Sequence, residues 1–246
     1  MKIRSFEEIS NNAWPALQSM QYDGWLLRFA NGVTKRSNSV NLLYPSTLEP
    51  EKKIDHCEEL FSSKNIPVAF KITAIADPAD IDDRLEKRGY FVHSTVSFQV
   101  ADLKHKKIHS DPEIVVTSGF EESWIEDFIR MNDFDPVSKP TYTAIMQQVL
   151  TPKCMVSIRD GNKTIGVGLG VTERTYLGLF DIVIEKEYRN KGLGARLVNS
   201  ILRWGIRNGA ETAYLQVLTQ NLPAQKLYAN LGFKEIYRYW YRMRKA

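Results

Sequence analysis

Arg189, Gly192 and Gly194 form the string Arg189-x-x-Gly192-x-Gly194, placed between an apolar run of strand type, Tyr176 to Ile184, and a helical pattern that continues to about Asn208. Two glycines let a backbone turn tightly and approach a ligand closely. A helix that starts there presents N–H groups without intrahelical partners and the positive end of its dipole. That is anion-binding chemistry, suited to a phosphate or pyrophosphate. Arg189 and Lys191 add positive charge at the mouth. The same string can serve as a plain glycine-rich helix entry, but a strand before it and a helix after it favour the anion site.

Further candidates follow from residue type. Asn221 stands where a helix N-cap is expected, with Pro223 in the first turn, so it can act as a cap or as a polar contact to a ligand. Tyr228 shares an apolar helix face with Ala224, Leu227 and Leu231, and can be core or a proton donor. Two carboxylates are placed to accept a proton, Asp181 in the run before the glycine string and Glu173 in the preceding turn. Asp181 has apolar neighbours, which raises a carboxyl pKa, and it can equally be a structural residue paired to the backbone.

The segment Ile182-Val183-Ile184-Glu185-Lys186-Glu187-Tyr188-Arg189-Asn190-Lys191-Gly192-Leu193-Gly194 resembles the acetyl-CoA-binding motif of GNAT acetyltransferases. Asn221-Leu222-Pro223-Ala224-Gln225-Lys226-Leu227-Tyr228-Ala229-Asn230-Leu231-Gly232-Phe233 resembles the motif that follows it in that family, in the same order and on the same kinds of element. The resemblance covers residues 112–246 and implies transfer of an acetyl group from acetyl-CoA to an amine, without a metal. It implies a splayed strand, Ile182, Val183 and Ile184, whose backbone pairs with the pantetheine arm and offers an N–H to the thioester oxygen. It assigns the pyrophosphate to the backbone of Arg189, Asn190, Lys191, Gly192, Leu193, Gly194 and Ala195, the pantetheine arm to Asn221 as well, and the general acid for the departing thiolate to Tyr228. Several members carry a glutamate earlier on the strand matching 176–184. Here that stretch reads Tyr176-Leu177-Gly178-Leu179-Phe180, without a carboxylate, so Asp181 and Glu173 are the candidates left for the base.

The elements that must position these groups can be read from hydrophobic period and turn signals. In the second half the expected order is a strand at 113–117, helices at 121–132 and 142–150, a hairpin of 154–158 and 165–171 around Asp160-Gly161, a strand at 176–184, a helix to 208, a strand at 212–217, a helix at 222–231 and a last strand at 234–243. The first half gives a weaker version of that order: a helix near 6–20, strands at 25–29 and 39–43 joined through Asn31-Gly32, a helix at 49–63, a strand at 68–72, a helix at 79–88 and a strand at 92–100. The polar stretch Leu103 to Pro112 divides them. The expected fold is thus α/β, a GNAT-type twisted mixed sheet flanked by helices at 112–246, preceded by a smaller degenerate GNAT-like α/β half at 1–108. The first half has no Gly-x-Gly at its equivalent junction, which reads Leu43-Tyr44-Pro45-Ser46-Thr47-Leu48-Glu49-Pro50, and carries Leu85 where Tyr228 would recur. Its segment Trp25 to Asn41 is rich in amide, hydroxyl and cationic side chains, either a surface for the acceptor or an exposed hairpin.

Composition excludes several classes. A length of 246 residues suits one to two domains at about 150 residues each. The net charge of +4 is spread as +1 up to residue 110 and +3 beyond, without the clustering of a nucleic-acid binder. No apolar run is long enough to span a membrane, and the start of the chain lacks the apolar core of a signal peptide. Two cysteines and four histidines at unrelated spacings give neither a disulfide framework nor a metal site. The expectation is a cytoplasmic N-acetyltransferase, monomer or homodimer, acting on a small-molecule or peptide amine, with no nucleic-acid or membrane partner. Two rivals share the fold: a non-catalytic acyl-CoA-binding module, and a tandem-GNAT aminoacyl transferase, against which the intact glycine string and modest charge argue.

Overall fold

The computed structural model describes residues 3–244. The chain forms two compact units that interleave along the sequence: residues as far as Ser97 together with those from Tyr237 onward, and residues Phe98–Ile236. Each builds a mixed sheet covered by helices, the α/β class expected.

The first unit contains α1 (Ile3–Ala13), β1 (Gln18–Tyr22), β2 (Trp25–Phe29), β3 (Ser39–Leu42), α2 (Pro50–Ser63), β4 (Ala69–Ile72) and α3 (Ile81–Lys87). A helix to residue 20 is not formed. Pro15 ends α1 by disfavouring helical backbone at Trp14. Asp23 and Gly24, both at positive φ, then turn β1 antiparallel onto β2. An Asp-Gly pair is the strongest short-range hairpin signal. Only glycine fits the second position, because a Cβ on Gly24 would lie 2.4 Å from the Pro45 carbonyl oxygen. β3 and β4 run parallel, and β4 takes Trp240–Met243 as its antiparallel neighbour, so the end of the chain is a strand of this unit. Trp25, Leu27, Val40, Leu42, Phe70 and Ile72 bury one face of the sheet against Ile54, Cys57, Phe61, Ile81 and Leu85 of the helices.

The strand β5 (Phe91–Asp102) starts in the first unit and ends in the second. The second unit continues with β6 (Ile114–Ser118), α4 (Glu122–Met131), α5 (Lys139–Gln147), β7 (Lys153–Asp160), β8 (Lys163–Glu173), β9 (Tyr176–Ile184), α6 (Leu193–Arg207), β10 (Thr212–Leu218), α7 (Leu222–Asn230) and the start of β11 (Lys234–Met243). α5 begins three residues before the expected start, because Pro140 occupies the first turn, where its missing N–H costs nothing, instead of breaking the chain ahead of the helix. β6 to β9 form an antiparallel meander, and β10 joins β9 in parallel. Leu197, Val198, Ile201 and Leu202 of α6 pack on Leu177, Leu179, Ala213, Leu215 and Val217. The α6 side of β8 is floored by Gly166, Gly168 and Gly170, where added methyl groups would collide with Leu197 or Ile201. α6 therefore lies directly against the strand, and its N-terminus is held at the end of β9.

Both cysteines are fully buried, and burial pushes each thiol up to about 12. Thiolate, not thiol, is the reactive form. Neither Cys57 nor Cys154 is expected to react with a soluble disulfide reagent at pH 8 while the protein is folded, and both should react after denaturation. Rapid labelling of native protein would contradict the burial.

Candidate active site

β9 and β10 pair only from Tyr176–Thr212 to Leu179–Leu215, although β9 continues to Ile184 and β10 to Leu218. Beyond Leu179 the two strands diverge. A local cause lies on the other side of β9: Val167 faces Val183 and Leu169 faces Phe180, so the single residue Gly168 opposes both Asp181 and Ile182. This is a β-bulge, which bends the strand that carries the extra residue. Asp181 adopts φ +52° within it. Among the described pairings, the edge of Ile182, Val183 and Ile184 that faces β10 is left open, and an extended molecule could add there as a strand does. Gly168 was not singled out from the sequence. A Cβ on it would lie 2.7 Å from the Ile182 side chain and 2.9 Å from that of Ile201, so a larger residue opposite the bulge would displace both. Its visible trace is the period-two repeat Gly166-x-Gly168-x-Gly170.

A short 3-10 turn, Lys186–Tyr188, leads from β9 into the loop before α6. Asn190 at φ +61° and Gly192 at φ +78° curl this loop. Ala195 and Arg196 donate their N–H groups to the Gly192 carbonyl at 3.1 and 3.2 Å. Among the described residues, none of the backbone hydrogen bonds uses the N–H of Asn190, Lys191, Gly192, Leu193 or Gly194. Successive unused donors at a helix start make an anion site. Arg189 ties the loop to the strand, donating from Nε to the Ile184 carbonyl at 3.0 Å. The Lys191 ammonium lies 5.0 Å from the Tyr188 ring centre. Arg130 pairs with the Glu185 carboxylate at 2.7 Å and keeps its pKa below the usual range.

α7 closes against this loop, a Cβ on Gly194 being 3.1 Å from Leu227. Asn221 caps α7, its Oδ1 accepting from the Ala224 N–H at 3.2 Å, which leaves the amide NH2 as a donor. Tyr228 is buried edge-to-face on Phe233, ring centres 5.9 Å apart. Burial first, and the negative charge of Asp181 second, push its phenol up to about 12. The charge of Asp181, in the bulge of β9, thus bears on the Tyr228 phenol. Glu173 is not brought to the same place. It ends β8, pairs across to Tyr176 and meets Arg174 at 3.5 Å. Tyr176 lies five residues before Asp181 on β9, roughly 16 Å at about 3.3 Å per residue. Among the described residues no group of three His, Cys, Asp or Glu side chains could hold a metal, and no helix is long and apolar enough to cross a membrane.

Residues 1–242 match the family described as "Probable histone acetyltransferase Rv0428c C-terminal". The chain is 31% identical to the uncharacterized N-acetyltransferase YobR of Bacillus subtilis, over 99% of each chain. In fold it is similar to the GCN5-related N-acetyltransferase from Kribbella flavida, with a TM-score of 0.71, 12% identity and 100% and 95% of the two chains covered. A tandem GNAT protein from the clavulanic acid biosynthesis pathway matches at a TM-score of 0.65 and 11% identity, over 96% and 86%.

Proposed function

The chain belongs to the GNAT family of N-acetyltransferases, and from that premise we propose that it transfers the acetyl group of acetyl-CoA to a primary amine by direct attack within a ternary complex. The observation that carries this reading is the pairing of an open strand edge with unused N–H donors at the head of α6. The two lie in sequence along β9 and its loop, as a molecule with an extended amide-bearing arm and a pyrophosphate requires. Bound there, acetyl-CoA supplies an acyl carbon already activated as a thioester.

The residues of this chain then do the following. The curled loop from Arg189 to Ala195 holds the pyrophosphate through backbone N–H groups. Ile182, Val183 and Ile184 hold the arm through their open edge, and an N–H of this segment faces the thioester oxygen as it gains charge. Asn221 adds its amide NH2 to the arm. Asp181 accepts the proton that the amine must lose before it attacks. Tyr228 faces the sulfur as a hydrogen-bond donor. Its pKa of about 12 stands above the ~8.5 of a thiol, so complete proton transfer is uphill by roughly 5 kcal/mol. The phenol therefore stabilises the departing sulfur without surrendering its proton, and the second amine proton, lost as the tetrahedral intermediate collapses, passes to the departing thiolate to give the CoA thiol. Glu173 has no part in this assignment. The buried, unionised state of both thiols favours direct attack over an acyl-cysteine route.

Initial-rate measurements with a panel of small amines and peptide N-termini test the proposal. Double-reciprocal lines that intersect are expected, with turnover requiring both substrates together. Parallel lines, or release of CoA before the amine is added, would refute the ternary complex. Tight acetyl-CoA binding without turnover of any amine would favour the non-catalytic alternative.

A further inference from the structure

Asn221 sits in a turn beyond the last pairing of β9 with β10, between the end of β10 at Leu218 and the start of α7 at Leu222. Asn221 adopts φ −84° and ψ 71°, and Leu222 donates its N–H to the Gln220 carbonyl at 3.0 Å, which makes an inverse γ-turn centred on Asn221. The Asn221 N–H donates to the Leu218 carbonyl at 3.0 Å. Gln225, one turn of α7 further on, closes this segment from the other side. Its backbone N–H donates to the Asn221 carbonyl at 3.0 Å. Its side-chain Nε2 donates to the Thr219 carbonyl at 2.5 Å and, more weakly, to the Leu218 carbonyl at 3.4 Å. A single side-chain amide thus ties the second turn of α7 back to the end of β10.

We propose that Gln225 is a positioning residue for the acetyl-CoA site, which clamps the turn between β10 and α7 so that the Asn221 amide NH2 stands ready for the arm. This rests on the function proposed above. The Asn221 side chain is tied at one atom, Oδ1, which accepts from the Ala224 N–H at 3.2 Å, so the direction of its NH2 follows the backbone of the turn. Without the Gln225 amide, the turn keeps only its short-range backbone bonds, and the donor samples directions in which a hydrogen bond weakens steeply. Holding a donor in its bound direction raises affinity by lowering the cost of ordering it. Gln225 therefore acts on the binding of acetyl-CoA and not on the transfer step.

Gln225→Met keeps the length of the side chain and removes its donor. The calorimetric Kd and the KM for acetyl-CoA should rise about tenfold, the order of one hydrogen bond, while kcat changes less than about twofold. A purely structural role would lower Tm and leave the Kd of the folded protein unchanged. Asn221→Asp keeps the capping oxygen, lacks the NH2, and supplies the second side of a double-mutant cycle. On that background Gln225→Met should change Kd less than about twofold, because the group it positions is gone. Should Gln225→Met fail to fold, Gln225→Glu, whose carboxylate has no proton to donate, should weaken binding in the same way. Equal losses on both backgrounds, an unchanged Kd in the single variant, or a loss confined to kcat would overturn the proposal. Those outcomes leave binding by the wild type intact and spare the proposed function, whereas a wild type that binds no acetyl-CoA would overturn both.

Discussion

Gly192→Val is expected to weaken acetyl-CoA binding at least ~100-fold while the protein stays folded. Gly192 has nothing within 4 Å of where a Cβ would stand, so the effect does not arise from a collision. It arises from φ +78°, a conformation that costs an L-residue roughly 1–2 kcal/mol and a β-branched one more. The loop relieves that strain by leaving the left-handed region, and the N–H groups of 190–194 then no longer converge. Losing two hydrogen bonds to a charged phosphate, at about 1.5–3 kcal/mol each, accounts for the expected factor. Gly209, just past α6, provides the control. It too has positive φ, +83°, and open space around it. Gly209→Val should cost comparable stability and leave acetyl-CoA affinity unchanged. Calorimetry on the two variants, with circular dichroism to verify folding, separates loop geometry from general strain. Wild-type affinity in Gly192→Val would refute the loop assignment.

Tyr228→Phe should lower kcat by about 10- to 100-fold with little change in KM for acetyl-CoA. Phenylalanine keeps the edge-to-face contact with Phe233 and removes only the donor. With the phenol at about 12, the wild-type rate should show no downward break from this group below about pH 11. The sign of the linkage adds a condition. A pKa raised by folding stabilises the protein fully below the unfolded value near ~10, and this contribution is lost as pH rises towards about 12. Rates above pH 10 must therefore be normalised to the folded fraction. Asp181→Asn serves as the companion. If Asp181 accepts the amine proton, the variant should be slow at neutral pH and approach the wild type as the free amine becomes abundant. A deficit that is constant with pH would leave Asp181 a positioning role only. An unchanged kcat in Tyr228→Phe would return Tyr228 to the core.

What could be read ahead of the structure was what neighbours along the chain enforce. The loop from Arg189 to Gly194 was legible because two glycines, a strand before and a helix after are local facts. Asn221 was legible as a cap, and it is one, by a bond to Ala224 three residues on. The element order held almost throughout the second unit. In the first unit it differs at α1, where Pro15 stops the helix and Asp23-Gly24 turns β1 onto β2.

The remainder depended on partners distant in sequence. Glu173 and Asp181 look equivalent as candidate bases, and strand register alone separates them, because each step along β9 moves a residue by about 3.3 Å. Lys53 reads as one charged position in an amphipathic helix, yet it is fully buried because a turn thirty residues earlier brings Asp23 to it. The last strand reads as the end of the second half, and its final residues pair with β4 of the first unit. The sequence by itself determined the glycine loop, the helix that follows it and the family they resemble, since local sterics and capping depend on adjacent residues. The tertiary structure decided that β9 parts from β10 at Leu179, that the charge of Asp181 bears on Tyr228, and that Asp23 meets the loop before α2 and Lys53. Each of these depends on which strand or carboxylate arrives from elsewhere in the chain, and hydrogen-bond closure over such distances leaves no periodic trace in the residues themselves.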